Sequence, residues 1–214
     1  MRNFLLASTA AAVLALSAGA ADATQIIAFG QTSGVNTITG TNTGGTSTTI
    51  SGNLSVSITQ LLGATLPPDL AATLILNATS VGAATPGTPF DTQDFTGSFS
   101  ITNGATNYLS GTFTDAAFGA GPSLTISVGS APGESVIFTS SVIPTSDLGA
   151  PMGLSFSFSN VTPPVAITGT SLSSFTASVT GTASASAVPE PASIGLLGLG
   201  LLGLGLTRIP RKRS

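Results

Sequence analysis

The chain is 214 residues long, room for one ordinary domain, and only 6% of it is charged, against roughly 25% in a typical soluble domain. Every basic residue lies at an end (Arg2, Arg208, Arg211, Lys212 and Arg213), while residues 24–187 carry only Asp69, Asp91, Asp94, Asp115, Glu134 and Asp147. An anionic body excludes nucleic acid as a partner, because phosphate binding rests on Lys and Arg; the absence of Cys and His excludes disulfides, thiolate chemistry and Ser-His-Asp or Cys-His catalysis.

The first segment has a basic start at Met1-Arg2-Asn3, an apolar run from Phe4 to Leu16, and small residues suited to cleavage after Ala20 or, at Ala21-Asp22-Ala23, after Ala23. This pattern predicts a secretory signal peptide over 1–23, helical in its apolar part and addressed to Sec-type export machinery. Cleavage after Ala23 is favoured, since Gln25-Ile26-Ile27-Ala28-Phe29 then opens the mature fold as a strand.

From 31 to 51 the composition is almost entirely Thr, Ser, Gly and Asn, which reads either as a polar strand pair or as a flexible loop. Regular T-x-T spacing of the kind in Thr37-Ile38-Thr39 would point to an ice-binding β-solenoid, but no fixed repeat continues along the chain.

Beyond it apolar residues recur at every second position: Leu54, Val56, Ile58; Phe95, Phe99, Ile101; Leu124, Ile126, Val128; Leu154, Phe156, Phe158; and Phe175, Ala177, Val179. Ser and Thr occupy the positions between. Alternation puts one set on each face of a pleated strand, the signature of a half-buried antiparallel sheet. Further strands are predicted near 73–78, 108–114 and 136–141. Leu66-Pro67-Pro68-Asp69, Ala84-Thr85-Pro86-Gly87, Ala131-Pro132-Gly133 and Thr162-Pro163-Pro164 punctuate them as turns.

Strands with one apolar face must bury it against another wall, so 24–187 is expected to form a single all-β, antiparallel β-sandwich, with a β-barrel as the alternative. The phenylalanines after Phe4 supply much of the core. Edge strands are often guarded by Lys, and this body has none, which leaves self-association open.

The last segment has three parts in order: the box Val188-Pro189-Glu190-Pro191, an uncharged Gly/Leu run over 192–206, and a basic end over 207–213 containing Arg208, Arg211, Lys212 and Arg213. Prolines 189 and 191 preclude a regular helix and hold the box extended. The run that follows is suited to enter a bilayer as a helix, but its length is marginal: at about 1.5 Å per residue it spans about 22 Å of about 30 Å of hydrocarbon. Glycines at 195, 198, 200, 203 and 205 weaken it further, which predicts transient insertion. The basic cluster is expected to stay cytoplasmic, with the body across the membrane.

This tail closely resembles the PEP-CTERM protein-sorting signal of Gram-negative bacteria, with Pro189, Glu190 and Pro191 matching the box, 194–206 the membrane segment and the arginines the basic end. The resemblance covers the tail alone. It implies recognition and removal by exosortase, a membrane-embedded, cysteine-dependent processing enzyme, delivery to the cell surface or extracellular matrix, and association with exopolysaccharide and biofilm. The other reading of the run is an ordinary C-terminal anchor. The tail has no Leu-Pro-x-Thr-Gly of a sortase substrate, and its basic cluster is unlike a GPI signal.

For chemistry the body offers carboxylates, hydroxyls and Tyr108. Asp91 and Asp94 are the nearest acid pair for a secreted glycan hydrolase, yet Asp91-Thr92-Gln93-Asp94 follows Pro89 in a turn-like stretch where Asp bonds the local backbone. No D-x-D-x-D-G loop supports calcium. A polysaccharide-binding module would have to do without Trp and with a single Tyr. Asn53, Asn77 and Asn160 head N-x-[ST] triplets, which arise readily in a chain this rich in hydroxyls. The sequence thus predicts a non-catalytic exported protein without cofactor or metal, with the glycan hydrolase and the polysaccharide-binding module as alternatives.

Overall fold

The period-two segments become strands because each hides its apolar set on one side and leaves Ser, Thr and Asn on the other. The computed structural model describes residues 23–186 apart from positions 36, 68, 88–90, 121–122 and 130–132, and apart from the side chains of 115–120 and 123–124. In chain order the strands are β1 (Thr24–Gln31), β2 (Ile38–Thr43), β3 (Ser47–Leu61), β4 (Leu70–Thr85), β5 (Asp91–Asn103), β6 (Thr106–Ala120), β7 (Ser123–Val128), β8 (Ser135–Thr139), β9 (Gly149–Thr162), β10 (Ile167–Thr168), β11 (Ser171–Leu172) and β12 (Phe175–Ser186). A 3₁₀ turn at Thr145–Asp147 precedes β9. The strands expected near 73–78, 108–114 and 136–141 are β4, β6 and β8. The signal segment up to residue 22 and the tail from 187 lie outside the described residues, and with them the two expected terminal helices.

The all-β, antiparallel expectation holds. All strands except β10 and β11 belong to one large antiparallel sheet. Hairpins join β2 through β7 in succession, β7 pairs with β9, and β9 pairs with β12. β12 then bonds both β1 and β2, and each of these bonds β3. The pairings therefore run right round, and the opposing walls that bury one another's apolar faces are parts of one curled sheet.

Two strand positions are split. β1 lies along Val56 to Leu61 of β3 and β2 along Ser47 to Ser51, so together they fill the gap between β3 and β12. The polar stretch that read as strand pair or loop is thus a strand pair, turning through Gly44 and Gly45 at positive φ. β7 and β8 likewise share β6, at 116–120 and 110–114. The carboxylate of Glu134 accepts a bond from the Gly129 N–H at 2.9 Å across the break between them.

One core fills the interior. Phe29, Phe95, Phe99, Phe113, Phe138, Phe156, Phe158 and Phe175 are all buried in it. The Phe156 ring on β9 sits centrally, 5.6 Å from the Phe99 ring and 6.1 Å from those of Phe29 and Phe113. Edge-on arrangements of this kind add to the burial of the rings themselves. Room for them comes from glycines facing inward: Gly40 stands directly opposite Phe175, and Gly181 opposite Phe29. A Cβ at either position would collide with the ring.

The segment between β9 and β12 folds over one end of the sheet as the small β10–β11 hairpin. It is fixed by buried polar contacts. Gln93 of β5 accepts through Oε1 from the Ser171 hydroxyl at 3.0 Å and the Leu172 N–H at 3.1 Å, and donates through Nε2 to the Gly82 carbonyl at 3.0 Å. The Leu172 N–H and the Gly82 carbonyl leave only one orientation of the Gln93 amide that satisfies both. The single hydroxyl hydrogen of Thr48 on β3 is shared between the Leu172 carbonyl and the Ser171 oxygen. Asn42, beside the β2–β3 turn, donates to the Leu172 carbonyl at 2.8 Å and accepts from the Gly45 N–H at 2.7 Å. Burying such groups is tolerable because they are paired.

Candidate functional site

Strand direction fixes where the chain ends lie. Thr24 of β1 pairs with Ala185 of β12, so the first and last described strands begin and finish side by side. The β3–β4 loop, the Gly104 turn and the β8–β9 loop share this end, opposite the β10–β11 cap. Ala23, the residue favoured for signal cleavage, is exposed just ahead of β1. Ser186 at the end of β12 is buried and pairs with Gly149. Only Ala187 and Val188 separate it from Pro189. The box thus follows the last described strand after Ala187 alone. Pro189, Glu190, Pro191, Arg208, Arg211, Lys212 and Arg213 themselves lie outside the described residues.

The described carboxylates are dispersed. Asp91 accepts from the Gly87 N–H at 3.3 Å, the local backbone bond expected of it, although residues 91–94 open strand β5, where the outward and inward faces alternate, and are not in a turn. Asp94 is exposed, three residues along β5, between the inward-facing Gln93 and Phe95. Glu134 closes the β7–β8 break, Asp147 lies in the 3₁₀ turn, and Asp69 sits before β4. Among the described residues no group of acids is placed to hold a metal ion, and Asp91 and Asp94 do not share a face of β5.

Tyr108 is only partly exposed and packs against the core, so its ring is no open platform. Asn53, Asn77 and Asn160 all lie on the outer surface. They belong to a broad hydroxyl and amide face, with Thr49, Thr79, Thr96 and Thr114 in one cross-strand row and Ser51, Asn77, Ser98 and Thr112 in the next.

Sequence reading missed one feature of that outer face. A depression of about 460 Å³ is lined by Gly30, Gln31, Thr32, Ser57, Thr59 and Asp69. Gly30 and Ser57, paired across β1 and β3, form its floor. Asp69 stands at its rim with φ 56°, a left-handed conformation that Asp tolerates better than most residues. Its members come from three segments far apart in the chain, and no motif joins them.

Among the described residues no helix is long and apolar enough to cross a membrane. No curated protein and no solved structure matches the chain. Its C-terminus does find a match: residues 187–212 fit the PEP-CTERM protein-sorting motif, and the chain is a bearer of that sorting signal.

Proposed function

We propose that this is a non-catalytic exported protein, led out by residues 1–23, processed at Pro189-Glu190-Pro191 and delivered to the cell surface or extracellular matrix, where its β body associates with exopolysaccharide. The sorting motif at 187–212 is the observation that carries the reading, since it implies handling by an exosortase and export through the membrane. The body's sparsely charged, hydroxyl-rich exterior and the dispersal of the described acids favour contact with polymer over hydrolysis of it, because a glycosidase needs two carboxyl groups about 5–10 Å apart across a sugar. The basic end, with Arg208, Arg211, Lys212 and Arg213, serves as the cytoplasmic stop. Signal removal after Ala23 leaves 24–187 as the mature body ahead of the box.

Adjacent chain ends support this route as well. Once folded, a body whose first and last strands are neighbours carries residue 24 and the start of the tail at the same end. Intact mass of the protein recovered from an exosortase-competent host tests the reading: the expected species lacks both 1–23 and the segment after the box. Recovery of the full 192–213 segment on the mature protein would overturn processing.

A further inference from the structure

We propose that the depression over Gly30 and Ser57 is a subsite for one neutral sugar residue, gripped by the Asp69 carboxylate and the Ser57 hydroxyl. The inference rests on the reading that the body meets polysaccharide, and it names where.

The observation that starts it is Ser57. Its Oγ is buried and has no hydrogen-bond partner. Buried hydroxyls are nearly always paired, and Ser57 lines the depression, so a turn about its Cα–Cβ bond brings the orphan hydroxyl out to a ligand that supplies the missing partner. The other side chains around it are already committed: Thr32 donates to the Ser55 carbonyl at 3.2 Å, Thr59 to the Ala28 carbonyl at 3.3 Å, and Gln31 accepts from the Val179 N–H at 3.2 Å. The Asp69 carboxylate at the rim accepts no bond from any described residue.

The shape is set by small residues. Gly30 faces Ser57 across β1 and β3. A Cβ on Gly30 would meet only the Thr180 methyl, at 3.6 Å. Its absence deepens the trough, whose roughly 460 Å³ falls in the range of small-molecule sites, about 300–1,000 Å³.

Chemistry then selects the ligand. A carboxylate accepts from two neighbouring hydroxyls at once, and Ser57 can donate to or accept from a third. An anion is repelled by Asp69. A divalent cation such as calcium wants six to eight oxygens, for which one carboxylate is a poor start. A β-strand ligand has no edge to join, because β3 is paired on both sides here. A neutral polyol ring satisfies what remains.

The test is saturation-transfer difference NMR on the full chain in a sugar-free zwitterionic detergent. The probes are glucose, galactose, mannose, N-acetylglucosamine and glucuronate, with calcium chloride titrated separately by isothermal calorimetry. At least one neutral sugar should show transfer and glucuronate should not. Gly30→Val fills the trough with a residue suited to a strand and should abolish the signal while the protein stays folded. Ser57→Ala should weaken binding about 3- to 10-fold, the worth of one hydrogen bond, while thermal unfolding shifts upward or stays in place because a buried orphan is removed. Absence of transfer from all four neutral sugars overturns the proposal, as does transfer that survives Gly30→Val, or binding of calcium alone that Asp69→Asn abolishes. Sorting is judged separately by intact mass, so a failed subsite and a failed route give different results.

Discussion

The two ends of the sheet are built differently. At the capped end Gln93, Thr48 and Ser171 are buried and bonded to one another and to the β11 backbone, so a polar lock holds the β10–β11 hairpin in place. At the other end apolar residues do the closing, with Ile26, Leu61, Ile143 and Ala185 buried beneath the loops. Its side-chain bonds are either solvent-exposed, as are Gln25 to Gln60 and Asn103 to the Ala71 carbonyl, or half-buried, as is that of the Ser140 hydroxyl to the Tyr108 carbonyl, and Ser186 is a buried polar residue there. An apolar seal is tolerant of small shifts, whereas a buried polar network has few satisfied arrangements. The end that carries both chain termini is thus the more forgiving one, and rigidity is concentrated away from the tail.

Substitutions separate the two. Phe156→Ala, at the centre of the aromatic cluster, should cost about 3–5 kcal/mol and lower amide protection at both ends together, because it reports global unfolding. Gln93→Ala orphans the Leu172 N–H and the Gly82 carbonyl and should cost about 3 kcal/mol by denaturant unfolding. Its loss of hydrogen-exchange protection should be steeper at Thr48, Ser171 and Leu172 than along the Thr24–Ala185 pairing; an even loss would break the comparison. Asn42→Ala removes the bond to Leu172 and the turn bond from Gly45, for about 1–2 kcal/mol, again felt first at the cap.

The inner face of the strands was legible in the sequence because period-two patterning is local: Leu54, Val56 and Ile58, or Leu154, Phe156 and Phe158, declare their own burial. Which strands pair across the closure was not legible. The β9–β12 and β1–β12 ladders join segments whose apolar patterns fit many partners equally well, and the hairpin order alone leaves the ends of the sheet free. Gln93 read as a polar turn residue because its partners, Ser171 and Leu172, lie far along the chain. The stretch 31–51 stayed ambiguous since Ile38 and Ile50 are its only large apolar anchors, and inward Gly40 has no side chain to announce its face. The tail was the reverse case, its three parts readable by order and composition without any fold, and the sorting-motif match falls on the same residues.

The last strand has one further consequence. β12 is hydrogen-bonded to β1, β2 and β9, so the sheet's closing contacts span nearly the whole length of the chain. Contacts this distant in sequence are slow to form, and they wait on the final segment. On a route where the amino terminus crosses first, the hairpins from β2 to β7 are outside and free to assemble before β12 arrives. When it does arrive, the sorting tail is still behind it. The strand that completes the sheet ends at Ser186, so the last ladder to form and the sorting motif at 187–212 are adjoining stretches of chain.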